Sequence, residues 1–79
     1  MNDAVAQRVQ IYEYFLAGGA LTSLDALHKF GCMRLGARVW ELKKMGIPIL
    51  DRWVGRVNAN GKWKRYKEYY MEKTNDRND

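Results

Sequence analysis

Residues Leu21 to Gly46, LTSLDALHKFGCMRLGARVWELKKMG, leave this chain few folds to choose from. Thr22 followed three residues later by Asp25 is a capping box, in which the hydroxyl and the carboxylate each take a backbone N–H that a helix start leaves unpaired. Leu24, Leu27 and Phe30 then recur at helical spacing, which predicts a helix over 22–30 with those three on its apolar stripe. Gly31 can take the left-handed conformation that ends a helix. A second pattern, predicted over 33–45, puts Leu35, Val39 and Leu42 on one face and stops at Gly46, with Pro48 just beyond. Two short helices joined at a glycine, with Arg34 and Arg38 early in the second, make the pattern of a helix-turn-helix.

The rest of the chain is read around that pair. Asn2 or Asp3 can cap a first helix over 3–17, whose Val5, Val9, Tyr12 and Leu16 form a stripe expected to pack on the pair, with Phe15 on its flank. Ile11 and Tyr14 fall on the opposite side. Gly18-Gly19 ends this helix, and Ala20-Leu21 can form a very short strand before the Thr22 cap. Beyond Gly46 the period changes. Residues 48–57 and 62–71 read as two strands around Asn58-Ala59-Asn60-Gly61, which suits a type I turn closed by a left-handed residue. Setting Asn58 opposite Lys62 brings Val57 to Trp63, Val54 to Tyr66 and Arg52 to Glu68. Tyr66, Tyr69 and Tyr70 should be core or half-core. At least one of Trp53 and Trp63 is expected in the core, whereas Trp40 should be exposed.

With 79 residues there is room for one small domain, expected over 1–71, with a polar, disordered tail over 72–79. The net charge of +5 is unevenly spread. Between Arg34 and Lys67 lie ten Lys or Arg against Glu41 and Asp51, a local excess of +8 that leaves −3 for the remainder. A basic half of this kind suits a polyanion. Cys32 is the single cysteine and His28 the single histidine, so neither an internal disulfide nor a zinc set is available. No nucleophile–base pair, paired carboxylates or phosphate loop stands out, and the expectation is a non-enzyme without cofactor. There is no signal-peptide pattern and no apolar run long enough to span a bilayer, so a cytoplasmic protein without membrane contact is expected.

Helix, short strand, helix, helix, strand, turn, strand is the order of a winged helix-turn-helix: mainly α, three helices plus a two-stranded wing. The chain also resembles a family of small winged helix-turn-helix proteins met mainly in bacteriophages and prophage regions. The resemblance is carried by Leu21-Thr22-Ser23-Leu24-Asp25-Ala26-Leu27, by Phe30-Gly31-Cys32, and by Arg34-Leu35-x-Ala37-Arg38-Val39-x-Glu41-Leu42-Lys43-Lys44-x-Gly46-Ile47-Pro48-Ile49. Gly61-Lys62, Tyr66 and Tyr69 echo it in the wing, and the likeness runs from about Val5 to Met71. It implies DNA binding.

The residues then sort by role. With Leu35, Val39 and Leu42 turned inward, Met33, Ala37, Trp40, Glu41 and Lys44 occupy the outer half of the second helix, the one that enters a major groove. Arg34 at its edge suits a guanine edge or a phosphate, small Ala37 permits close approach, and Arg38 suits a phosphate or a pairing with Glu41. In the wing, Arg56, Asn60, Lys62, Lys64 and Arg65 are expected to follow the backbone or enter the minor groove. The expected partner is double-stranded DNA, in the service of transcription regulation, with a homodimer or a host protein as further partners. The alternative is a protein-docking module anchored on Trp40, Ile11 and Tyr14.

Overall fold

Thr22 serves two elements at once, and its backbone shows how. Its φ of −91° and ψ of 171° are extended, as both a strand and a helix N-cap require. In the computed structural model, which describes residues 4–72, it ends strand β1 (Ala20–Thr22) and caps helix α2 (Ser23–Phe30). Its hydroxyl accepts the Asp25 N–H at 3.1 Å, and its own N–H donates to the Asp25 carboxylate at 3.0 Å. Gly31 ends α2 with a φ of 65°, and the Gly31 and Cys32 N–H groups donate to Leu27 and Ala26.

Helix α1 (Ala4–Leu16) precedes this unit, and α3 (Leu35–Lys44), β2 (Ile49–Val57) and β3 (Trp63–Met71) follow it. The strands form one antiparallel sheet in the order β1-β3-β2. The expected two-stranded wing is therefore two strands of a three-stranded sheet. The correction has a plain cause. A lone hairpin is marginal and leaves open edges, and β1 covers one edge of β3 while placing Leu21 in the core. The hairpin register is the one read from the sequence: Val57 faces Trp63, Val54 faces Tyr66 and Arg52 faces Glu68. At its tip the Asn58 Oδ1 accepts the N–H groups of Asn60 and Lys62, and Gly61 is left-handed at a φ of 78°.

Ile11, Phe15, Leu21, Ala26, Cys32, Leu35, Val39, Leu42 and Ile49 make the core. Leu35, Val39 and Leu42 are where the helical period puts them, but the stripes of the other two helices are not. On α1, Val5, Val9 and Leu16 are 57%, 49% and 53% exposed, while Ile11 and Phe15 are buried. Rotating α1 this way sets Tyr14 edge-on to Phe30 at 5.7 Å and turns Arg8 toward Glu41 of α3. On α2 the buried residue is Ala26, with Leu24 and Leu27 exposed. The small methyl of Ala26 lets the helix backbone approach the core closely. Helix α3 starts at Leu35, two residues later than expected, because the chain first buries Cys32 in the turn. The expected cap at Asn2 or Asp3 and most of the expected tail lie outside the described residues.

Antiparallel partners share a face, so the register sorts the sheet. One face carries Leu21, Ile49, Tyr69 and Met71 at its base, packed in or against the core. The same face continues outward as Trp53, Gly55, Val57, Trp63, Arg65 and Lys67.

Candidate nucleic-acid interface

The side of α3 away from the core begins with two exposed residues ahead of the first turn. Met33 is 83% exposed, and Arg34 stands at the N-cap without a side-chain cap bond. Gly36 is open and Ala37 half-buried, which leaves the first turn smooth enough for a close neighbour. Trp40 is exposed as expected, and the Lys44 ammonium lies 4.5 Å from its ring centroid. Arg34 and Lys44 stand at opposite ends of the helix, about 15 Å apart along it at the usual rise per residue.

Ion pairs divide the arginines. Arg38 has a side chain only 12% exposed and holds Glu41 at 3.1 Å. Glu41 also receives Arg8 of α1 at 3.3 Å, so this pair fastens α3 to α1. Of the two readings of Arg38, the structure has the one with Glu41. Arg56 likewise gives both guanidinium nitrogens to Asp25, at 3.3 and 3.4 Å, and approaches Glu68 at 3.5 Å. It ties the wing to the start of α2, where Thr22, Leu24, Arg56, Val57, Asn58, Ala59 and Tyr66 line a cleft of about 270 Å³. Arg52 pairs with Glu68 at 2.9 Å. Among the described residues no carboxylate stands within ion-pair distance of Arg34, Lys43, Lys44, Lys62, Lys64, Arg65 or Lys67. Apart from Lys29 at the end of α2, which lies over the Tyr14 ring, the described cations without a carboxylate sit at the start and end of α3 and along the wing.

The Asp25 junction has a pH signature. Burial raises the Asp25 pKa, but the Thr22 backbone bond and the Arg56 bonds outweigh it and hold the group below its ordinary 3.8. A carboxylate lowered on folding stabilises the fold above its unfolded value and loses that contribution as pH falls through the folded one. Asp25→Asn is therefore expected to cost about 1 kcal/mol at neutral pH. That difference from wild type should shrink below about pH 4 in urea denaturation measured across pH.

The two wing tryptophans stand elsewhere than expected. Trp53 and Trp63 are 58% and 68% exposed, so the expectation that one of them is core is corrected: both stand on the outer part of the wing face that packs on the helices at its base. The docking alternative loses two of its three anchors, since Ile11 is fully buried and Tyr14 is half-buried against Phe30. Among the described residues no helix is long and apolar enough to cross a membrane.

A sequence-family profile described as a winged helix-turn-helix domain matches residues 6–74. No curated protein and no solved structure matches the chain significantly.

Proposed function

This chain belongs to the winged helix-turn-helix domain family, and we propose that it binds double-stranded DNA with sequence preference, as a small phage-type transcriptional regulator. Helix α3 enters the major groove with Met33, Arg34 and Ala37 leading, and Lys44 meets the backbone further along. Asn60, Lys62, Lys64 and Arg65 follow the phosphates or the minor groove from the wing. Arg8 holds α3 on α1 through Glu41, the carboxylate that Arg38 also grips from within α3, and Arg56 holds the wing on α2. The observation that carries this reading is the distribution of charge: internal carboxylates take up Arg38, Arg52 and Arg56, and the cations left over, Lys29 of α2 aside, line α3 and the wing.

The test separates base reading from phosphate contact, on duplexes selected by the wild-type protein from a random pool. Arg34→Ala should reduce discrimination between selected and unselected sites by about 1–3 kcal/mol, the worth of a bidentate guanine contact. Lys64→Ala should weaken binding to all duplexes alike and lower the salt slope by about one. Both side chains are exposed, so thermal stability should scarcely change. An Arg34→Ala protein that discriminates as wild type does would overturn the assignment.

A further inference from the structure

Trp53 and Trp63 are large apolar rings on opposite strands of a slender hairpin, each more than half exposed. Two such rings close together on one face, with exposed Val57 beside them, make an apolar patch of the kind that marks an interaction site. Their surroundings name the chemistry of the cover. Lys67 is directly opposite Trp53, and Arg65 stands opposite Gly55, between the two indoles. The Arg65 and Lys67 cations lie 5.2 and 5.3 Å from the Trp53 ring centroid. Trp63 leans over Gly55, where a Cβ would overlap its ring, so the glycine makes room for the indole. Trp63 pairs with Val57, four residues along β2 from Trp53. The backbone positions are about 13 Å apart along the strand, and the lean of Trp63 brings its ring back to Gly55, two residues from Trp53.

We propose that this strip of the wing binds an unpaired stretch of DNA, with bases stacked on Trp53 and Trp63 and the neighbouring phosphates met by Arg65 and Lys67. Aromatic rings alternating with unpaired cations match a single strand, which offers planar bases and a charged backbone at once. A purely apolar partner would leave Arg65 and Lys67 buried without counter-charge. A blunt duplex keeps its base faces stacked, and along its length it offers these two rings no base face to stack on. The strip therefore adds preference for duplex with a frayed end, a bubble or a single-stranded tail. This rests on the DNA-binding reading above and extends it to the state of the DNA.

The experiment compares three probes: a blunt duplex, the same duplex with a tail of about eight thymidines, and the duplex with an equally long abasic tail. Wild type should bind the thymidine-tailed probe roughly tenfold or more tightly than the blunt one, as stacking on an aromatic platform gives, and the abasic tail should supply little of that gain. Trp53→Ala and Trp63→Ala should each remove most of it without altering blunt-duplex affinity or thermal unfolding, and Trp63→Phe should restore part of it. Equal affinity for the blunt and thymidine-tailed duplexes would overturn the proposal while leaving duplex binding intact. So would an abasic tail as effective as thymidine, or self-association of the wild type that either alanine abolishes. Failure to bind any of the probes would overturn the DNA-binding reading itself.

Discussion

Phe15→Ala should lower the stability of the fold by about 3–5 kcal/mol, the usual cost of emptying a buried phenylalanine site. Phe15 is the largest of the fully buried side chains and lies in one core cluster with Ile11, Leu21, Leu35 and Leu42. A domain of this size has a total stability of only about 4–12 kcal/mol at the typical 0.05–0.15 kcal/mol per residue. The variant should thus be largely unfolded or close to it. Leu16→Ala, one residue along the same helix, should cost less than about 1 kcal/mol because its side chain is mostly in water already. Urea denaturation followed by circular dichroism measures both. The reverse order would return α1 to the stripe of Val5, Val9, Tyr12 and Leu16 that its periodicity favours.

That contrast marks where the sequence stops being informative. Both Val5-Val9-Tyr12-Leu16 and Ile11-Phe15 lie at helical spacing, and a period fixes the spacing of a stripe without saying which one meets the core. The winner on α1 is set by what faces it: Phe30 beside Tyr14, and Glu41 beside Arg8. These contacts are 16 and 33 residues apart in the chain, beyond the reach of a local pattern. Helix α3 was legible because Leu35, Val39 and Leu42 are all branched aliphatics, while the opposite row of Met33, Ala37 and Trp40 is broken by small Ala37 and bordered by Arg34, Glu41 and Lys44. The hairpin was legible because the Asn58–Gly61 turn fixes its register, and register fixes faces.

The same register held the clue to the tryptophans. Once Val57 faces Trp63, parity puts Trp53, Trp63, Arg65 and Lys67 on a single face, and two cations there argue for solvent. Reading the indoles as core set a residue preference above this parity. Of the cations named from the sequence as DNA contacts, Arg34, Lys44, Lys62, Lys64 and Arg65 have no carboxylate partner among the described residues, whereas Arg38 and Arg56 do. Arg56 was not foreseen as a clamp, because its partner Asp25 is 31 residues away and was already accounted for as a helix cap.

Salt dependence tests duplex binding most directly. If α3 and the wing neutralise phosphates with five or six of their unpaired cations, log K should fall with log salt at a slope near −5, at about 0.9 per phosphate contacted. A fourfold rise in salt would then weaken binding by about a thousandfold. Asp25, Glu41 and Glu68 have already consumed Arg56, Arg38, Arg8 and Arg52, so the slope should stay well below the full count of basic residues. Titrating a blunt duplex with this protein across salt concentrations is the decisive measurement. A slope near −5 is the predicted result, and a slope near zero, or no duplex binding at low salt, would contradict it.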